Sequence, residues 1–166
     1  LLSDGELDEG SNWEAILFAP HHNLDNLTCI VDYNKLQSLT TVKETLNLEP
    51  LKDKITSFGW NVIDIDGHNH DEINNAIVNA KTSDKPTLIC CKTKIGFGSP
   101  NKESKSSSHG SPLGSEEIEL TRKNLDWSHD QFIVPDDLLE QWRSFTKRNT
   151  ELKNNWTNKN KDFLKS

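Results

Sequence analysis

The sequence predicts an α/β fold, a parallel doubly wound sheet followed by a helical C-terminal extension. Four apolar runs are predicted to be strands, and they occupy residues 1–2, 27–33, 61–66 and 87–93. Helical stretches separate successive runs, and this alternation is typical of parallel sheets. From Thr146 onward the chain is rich in Lys and Asn. We therefore predict a sheet domain at 1–130 and a helical extension or linker at 131–166.

The first predicted helix follows the opening loop. Ser11, with Glu14 three positions later, has the spacing of a capping box, which marks a helix start. The helix is predicted to run from Asn12 to Ala19. Pro20 is predicted to end it or to lie just past its end, because proline has no N–H to donate. The resulting β-α-β unit is expected to have a right-handed crossover.

The middle of the chain supplies two further β-α-β steps. Residues 35–48 are polar with little periodicity and are predicted to form a long loop. A helix is predicted at 49–57, with Pro50 in its first turn and Gly59 just past its end. Another helix is predicted at 71–81, where apolar residues share one face.

A loop and two helices are predicted after the fourth strand. Residues 95–114 are rich in Gly, Pro and Ser and are predicted to be a loop. Ser115 is predicted to cap a short helix at 117–125, and Pro135 to begin another. The sparse aromatic residues Trp156 and Phe163 are expected to pack on a surface outside this chain.

Composition and charge exclude several classes of function. The net charge is −7 with no basic stretch, so no nucleic-acid partner is expected. No apolar run approaches the ~18 residues of a membrane span, so no membrane partner is expected. The cysteines, at 29, 90 and 91, lie in predicted strands, which favours reduced thiols in a cytoplasmic protein. Because Met is absent and the chain opens on Leu1-Leu2, we expect a piece of a longer protein.

Two polar residues that follow the first two strands are candidate metal ligands. Asp4 comes directly after the first apolar run, and Asn34 follows the second, thirty positions later. If both strands point the same way, these side chains leave the sheet at the edge where open α/β sheets bind ligands. Carboxylate and amide oxygens suit Mg²⁺ or Ca²⁺, and Gly5 lets a phosphate approach the backbone. Both residues are also common turn formers, so a purely structural interpretation stays open.

Two other stretches look like sites at first sight. Asp64–Asp71 lacks the ligand order of an EF-hand loop and the spacing of a zinc site, so it is predicted to be a solvated loop. Gly5–Gly10 has the glycine spacing of a P-loop, but the Lys and Ser/Thr do not follow. Nucleotide hydrolysis is therefore not expected.

The candidate ligands belong to a longer pattern. Ser3-Asp4-Gly5, with Asn34 thirty residues later, resembles the thiamine-diphosphate motif, which is Gly-Asp-Gly followed by Asn. Further segments resemble the transketolase family in order and spacing to about residue 127. They are Asp32-Tyr33-Asn34-Lys35-Leu36, Phe58-Gly59-Trp60-Asn61-Val62-Ile63, Asp66-Gly67-His68, Lys85-Pro86-Thr87-Leu88, Ile95-Gly96-Phe97-Gly98-Ser99-Pro100-Asn101-Lys102 and Ser108-His109-Gly110-Ser111-Pro112-Leu113-Gly114. Two departures are Ser3, where the family has Gly, and Ser106, where it often has a second His.

The resemblance implies roles for individual residues. Asp4 and Asn34 would bind the metal through their side chains, and Leu36 through its backbone carbonyl. Gly5 would bind the cofactor's diphosphate through its N–H, and Asn34 would bind it by way of the metal. His109 would contact the diphosphate and the reacting sugar, where a group that titrates near neutrality helps proton transfer. From the residues alone, His109 also fits an exposed loop histidine.

The resemblance also implies a function. The fold would be most of a thiamine-diphosphate-binding domain, and the reaction would transfer a two-carbon ketol unit from a ketose phosphate to an aldose phosphate. The implied cofactors are thiamine diphosphate and Mg²⁺ or Ca²⁺, and the implied assembly is a homodimer of the full-length chain. Glu9 and Glu14 match glutamates that line the path between the two cofactors of such a dimer. The fragment alone is expected to be inactive.

Several alternatives stay open from the sequence. A related thiamine enzyme such as dihydroxyacetone synthase is one, whereas the GFGSPNK and HGSPLG segments argue against a deoxyxylulose-phosphate synthase. Residues 6–9, 21–22 and 24–27 resemble the two-chain form of transketolase, and the region after residue 94 resembles the single-chain form. An inactive, transketolase-like binding domain is a hypothesis from another class. The residues that set donor and acceptor preference lie outside this sequence.

Overall fold

The fold is an α/β arrangement around a four-stranded parallel sheet, and the predicted fold class is confirmed. The structure is a computed structural model that describes residues 1–163. Neighbouring strands are parallel throughout, and their order across the sheet is β1-β2-β4-β3. The strands are β1 at Leu2–Ser3, β2 at Thr28–Tyr33, β3 at Asn61–Asp66 and β4 at Thr87–Lys92.

Helices connect the strands and continue after the last one. Within residues 1–163 the α-helices are α1 at Gly10–His21, α2 at Val42–Thr45, α3 at Leu51–Ser57, α4 at His70–Thr82, α5 at Ser115–Asn124 and α6 at Asp136–Lys159. Two short 3-10 helices lie at Gly5–Asp8 and Ser106–Ser108. The chain divides into two compact units after Leu125. None of the described helices is long and apolar enough to cross a membrane.

The sheet is doubly wound because the chain reverses direction after β3. From β1 to β2 and on to β3 the chain advances to one edge, and it then returns to place β4 between β2 and β3. A reversal of direction moves the connecting helix to the other face when crossovers are right-handed. Accordingly, Ile16 of α1 and Ile55 of α3 belong to one apolar core. Ala76 and Ala80 of α4 belong to a second core, with Ile89 of β4.

Helix α1 begins earlier than predicted, and its predicted capping box is wrong. The helix starts at Gly10, so Ser11 already lies in its first turn and is not the N-cap. Ser3 and Glu6 have the same spacing, three positions apart, and they form the reciprocal hydrogen bonds instead. Ser3 N donates to Glu6 Oε2 at 2.7 Å, and Glu6 N donates to Ser3 Oγ at 3.3 Å. These are the bonds of a capping box, and they fold the turn that follows β1.

Pro20 lies inside the last turn of α1 and does not end the helix as predicted. Because proline has no N–H, the carbonyl of Ile16 has no donor at the usual helical position. The indole Nε1 of Trp60, which is only 4% exposed, donates to Ile16 O at 2.8 Å. A side chain that precedes β3 therefore replaces the missing backbone donor, and the helix continues to His21.

The segment 35–48 is more ordered than the long loop that was predicted. Leu36 and Thr41 form an antiparallel β-bridge, and α2 follows directly. The Thr41 hydroxyl accepts a hydrogen bond from Glu44 N at 3.3 Å and caps the helix. The bridge and the cap together close a compact hairpin-like turn after β2.

The starts and ends of two other helices depend on glycine. Gly59 lies just past α3 with a φ of +101°, as predicted for the C′ position. Gly114, with a φ of +90°, is the N-cap of α5, so the prediction that Ser115 caps this helix is wrong. Both glycines adopt backbone conformations that L residues with a side chain rarely take.

Helix α6 forms the second unit together with the residues that precede it. It begins after Pro135, which is its N-cap, as the sequence predicted. Its large apolar side chains recur every three, four or seven residues and are exposed; they are Leu138, Trp142, Phe145, Leu152 and Trp156. The predicted helical extension is therefore present, and its last residues, 164–166, lie outside the described part of the chain.

Candidate metal and diphosphate site

The first two predicted ligands leave neighbouring strands at the same edge of the sheet. In the parallel pair of β1 and β2, Ser3 lies opposite Asp32, so Asp4 and Asn34 both follow the paired residues. Asp4 N donates to Asp32 O at 3.3 Å, and Asp4 Oδ2 accepts from Lys35 N at 2.6 Å. The carboxylate therefore bridges the tips of the two strands.

A tight turn after β2 holds Asn34 and Leu36 next to this carboxylate. Asn34 Oδ1 accepts a hydrogen bond from Leu36 N at 2.9 Å, which is the pattern of an Asx turn. Lys35, between them, has a φ of +64°. The three predicted ligand residues are thus linked through Lys35, whose N–H donates to Asp4.

The carboxylate of Asp4 is buried in a negatively charged environment. Asp4 is 2% exposed. Burial raises the pKa of its carboxyl above the ordinary value, the N–H groups of Lys35 and Gly5 oppose this, and the charges of Asp32 and Asp8 raise the pKa further. The site therefore carries negative charge that a cation would compensate.

A buried oxygen without a hydrogen-bond partner lies near this site. Gln37 Nε2 donates to Asp8 Oδ2 at 2.9 Å, but Asp8 Oδ1 is buried and has no partner among the described residues. No three His, Cys, Asp or Glu side chains within residues 1–163 are placed to hold a metal by themselves. A metal here would need amide and backbone oxygens as well. The atoms available to bind a metal are all oxygens, and such a ligand set fits Mg²⁺ or Ca²⁺.

The structure also gives Ser3 a local role. Besides its backbone bond, Ser3 Oγ donates to Glu6 Oε2 at 3.1 Å. A Cβ built on Gly5 would lie 3.7 Å from Gln37, an ordinary contact distance. Ser3 therefore stabilises the turn that carries Asp4.

A cavity of about 720 Å³ lies beside the strand tips and contains two of the predicted site residues. Asn34 and His109 both line it, together with Asp32 and His68. Ile side chains of the sheet and of α4 form its apolar wall; they are Ile30, Ile65, Ile73, Ile77 and Ile89. The structure thus brings the His109 segment to the same cavity as the tip of β2. Asp4, Gly5 and Leu36 lie outside the lining of this cavity.

Sequence reasoning missed His68, which lies in the stretch predicted to be a solvated loop. Its Nε2 accepts a hydrogen bond from Lys94 N at 3.0 Å, and its ring stacks on Phe97 with centroids 4.0 Å apart. Asp64–Asp66 belong to β3, as the strand predicted at 61–66 requires, and the turn that follows is not fully solvated because it packs against the end of β4. The Asp66-Gly67-His68 motif was the available signal.

A second missed contact joins β2 to β4. The Thr93 hydroxyl donates to Asp32 Oδ1. Asp32 lies opposite Cys91 in the register of these strands, so Thr93 follows the paired residues as Asn34 does. The end of β4 is thereby tied to the tip of β2.

The two glutamates assigned to the path between cofactors are exposed in this chain. Glu9 is the N-cap of α1 and makes no side-chain cap bond. Glu14 does not form the capping box that was predicted for it, because Ser11 does not cap the helix. Their part in a dimer stays a prediction.

The fold and these residues define a class of protein. A parallel doubly wound sheet with polar residues at the carboxyl ends of its strands has the architecture of α/β domains that bind ligands at that edge. The chain belongs to the transketolase family. The family model described as "Transketolase, thiamine diphosphate binding domain" matches residues 1–166.

Relatives and solved structures agree with this assignment. The chain is 39% identical over 166 residues to a transketolase of Nostoc sp., covering 98% of this chain and 25% of that protein. It is 40% identical over 162 residues to Transketolase-1, chloroplastic, of Arabidopsis thaliana, covering 96% and 22%. A crystal structure of transketolase from Campylobacter jejuni superposes with a TM-score of 0.91 at 33% identity, covering 99% and 27%. The chain therefore spans about a quarter of the length of these relatives.

Proposed function

We propose that the complete protein is a transketolase and that this chain supplies its metal and diphosphate site. The reaction would transfer a two-carbon ketol unit between sugar phosphates. The observation that carries the proposal is the placement of Asp4 and Asn34 on adjacent parallel strand tips, with His109 in the cavity that Asn34 lines. Related Pichia stipitis transketolases were solved with fructose-6-phosphate and sedoheptulose-7-phosphate, which supports sugar phosphates as substrates.

Each residue would contribute a distinct interaction. Asp4 and Asn34 would hold Mg²⁺ or Ca²⁺ through side-chain oxygens and Leu36 through its carbonyl, while the Gly5 N–H would donate to the diphosphate. When bound, thiamine diphosphate would supply the thiazolium that accepts the electron pair during ketol transfer. The imidazole of His109 would donate to the diphosphate and exchange a proton with a sugar hydroxyl.

Replacing Asp4 by Asn tests the metal assignment. The amide oxygen keeps an acceptor for Lys35 N but removes the charge from a buried position. We expect Mg²⁺-dependent affinity for thiamine diphosphate, measured by calorimetric titration of the complete protein, to fall roughly 100-fold or more. Thermal stability without metal should be unchanged or higher, because a buried charge is removed. Asp25→Ala, at an exposed position after α1, is the matched control. Unaltered cofactor affinity in Asp4→Asn would refute the assignment.

Replacing His109 by Ala tests the catalytic role. Its side chain is exposed, so folding stability should change little. Turnover in the complete protein should fall by roughly 10²–10⁴-fold, the range usual for a general acid or base. A fully active variant would show that His109 only lines the cavity.

Other features of the proposal follow from the family and need separate measurement. They are a homodimer of the complete chain, a cytoplasmic location, and the donor and acceptor sugars. Sedimentation with cofactor, fractionation of cells, and assays with a panel of ketose and aldose phosphates address them in turn. Cofactor binding without ketol transfer to any acceptor would favour an inactive binding domain.

A further inference from the structure

The carboxylate of Glu117, in the first turn of α5, is fully used by the loop that follows β4. Its Oε1 accepts from Asn101 N at 2.8 Å and from the Ser99 hydroxyl, and its Oε2 accepts from Asn101 Nδ2 at 2.9 Å. Glu117 is 8% exposed and Ser99 is 1% exposed. A buried carboxylate with three donors is a strong and directional anchor.

The anchored loop is in turn bonded to the segment that carries His109. Ser108 Oγ donates to Lys102 O at 2.6 Å, next to Asn101 in the chain. Lys102 Nζ donates to Pro112 O at 3.4 Å on the far side of His109. Gly96 also lies close, because a Cβ built on it would be 3.2 Å from Ser108 Oγ. The loop 96–102 therefore holds both flanks of His109.

The segment around His109 has little packing of its own. His109 is exposed, and its backbone N donates to Ser106 O at 2.9 Å within the same turn. Gly110 follows with a φ of +72°, and a Cβ built on it would meet nothing within 4 Å. Since His109 and Gly110 are exposed, the hydrogen bonds to the loop 96–102 are the interactions that hold this turn in place.

Helix α5 is a firm support for that loop. Asn124 Nδ2, at the end of the helix, donates to Gly98 O at 2.9 Å. Gly98 has a φ of +83°, and a Cβ built on it would lie 2.6 Å from Leu125 Cδ2, so the loop and the end of α5 are in close contact. Glu117 holds the loop at the first turn and Asn124 at the last.

We infer that Glu117 is a positioning residue that sets the place of His109 in the cavity through Ser99, Asn101 and Lys102. The inference rests on the proposed function, in which His109 contacts the cofactor and the sugar. Glu117 itself lies outside the lining of the cavity and acts only through the loop. The Glu117 carboxylate does not contact the cofactor or the sugar in this proposal.

The test compares three variants of the complete protein: Glu117→Ala, Glu117→Gln and the control Glu116→Ala. Glu116 is exposed and is also an acid in the first turn of α5, so its removal controls for the loss of a charge at the helix start. Hydrogen exchange by mass spectrometry follows the peptide 105–112. Steady-state ketol transfer and cofactor titration are measured on the same preparations.

In Glu117→Ala we expect exchange in the peptide 105–112 to rise roughly tenfold, with peptides of the sheet unchanged. Turnover should fall roughly tenfold or more, while the affinity for thiamine diphosphate stays within about threefold. Glu117→Gln keeps an acceptor for Ser99 and Asn101 N but loses the acceptor for Asn101 Nδ2, so it should recover only part of both effects. Glu116→Ala should behave as the unmodified protein.

A double-mutant cycle separates positioning from a general loss of structure. If Glu117 acts through His109, adding Glu117→Ala to His109→Ala should lower the residual rate by less than about threefold. An equal loss in both backgrounds, or unchanged exchange in Glu117→Ala, would overturn the inference. Full activity of His109→Ala with faster exchange in Glu117→Ala would refute the role of His109 and still support the ordering of its segment by Glu117.

Discussion

Replacing Trp60 by Phe tests whether this side chain completes helix α1. The indole Nε1 donates to Ile16 O at 2.8 Å, and this carbonyl lacks its helical donor because Pro20 stands four residues later. Phe keeps most of the apolar ring but leaves the Ile16 carbonyl without a donor. Because Trp60 is 4% exposed, water cannot easily take its place.

The expected cost has two parts. A buried carbonyl left without a hydrogen bond costs roughly 1–3 kcal/mol. The smaller ring loses burial worth about 1–2 kcal/mol, at roughly 0.8 kcal/mol per buried carbon group. Trp60→Phe should therefore lower the free energy of unfolding by about 2–5 kcal/mol.

The matched background is Pro20→Ala. This change restores the backbone N–H that normally donates to the carbonyl of Ile16, four residues earlier in the helix. Pro20→Ala alone should cost only about 0.4–1 kcal/mol, through the greater freedom of the unfolded chain. In that background Trp60→Phe should cost only the burial part, so the two changes should couple by roughly 1–3 kcal/mol. Urea unfolding followed by far-UV circular dichroism measures all four proteins. Equal costs of Trp60→Phe in both backgrounds would show that the indole does not replace the missing donor.

Three further predictions concern the turn after β3, the first turn of α5 and the buried part of β4. Gly67→Ala places a Cβ 2.5 Å from Thr93 Cγ2 and should cost roughly 1–3 kcal/mol in urea unfolding, with part recovered by Thr93→Ser, which removes that methyl group. Hydrogen bonds from Ser99 and Asn101 lower the pKa of Glu117 from 4.5 to about 2. Its stabilisation is therefore complete above pH 4.5 and lost as the pH falls toward 2, so the difference in Tm between the unmodified protein and Glu117→Gln should shrink over that range; a constant difference would contradict the shift. Burial raises the pKa of Cys90 to about 12, so its thiol should resist alkylation at neutral pH until urea unfolds the protein; rapid labelling of the folded protein would contradict this burial.

Local patterns in the sequence were sufficient for the strands and for most helices. The runs at 61–66 and 87–93 match β3 and β4 almost to the residue. β4 is a buried, nearly continuous apolar stretch, whereas the edge strand β3 mixes apolar with polar residues. The start of a helix was harder to predict where two nearby segments both have the spacing of a capping box. Ser3 with Glu6 and Ser11 with Glu14 have the same spacing, and only the first pair forms the reciprocal bonds. The turn at Gly5–Asp8 leads into α1 before Ser11, so the second signal is never used.

Contacts between distant segments could not be predicted from local patterns. A proline usually ends a helix, but the indole of Trp60, forty positions after Pro20, donates to the carbonyl that Pro20 leaves without a helical donor. His68 looked solvated because nothing in its own segment shows that the backbone of Lys94 will donate to its ring. In both cases the partner lies 26 or more positions away in the chain, and it becomes a neighbour only after the strands have paired.

Strand order decides whether the segment that carries His109 can reach the cavity that Asn34 lines. β2 and β3 are successive in the chain, yet β4 lies between them, and no local sequence pattern distinguishes this order from the alternatives. Neighbouring strands are about 4.8 Å apart, so in the order β1-β2-β3-β4 the end of β4 would lie about 10 Å from β2. In the observed order Thr93 donates to Asp32, and the segment that follows β4 brings His109 to the cavity lined by Asn34.

Thr93→Val, which keeps the shape and removes the donor, should therefore weaken turnover in the complete protein more than it weakens folding. Unchanged turnover in this variant would show that strand order alone, without the Asp32 contact, is sufficient to place His109.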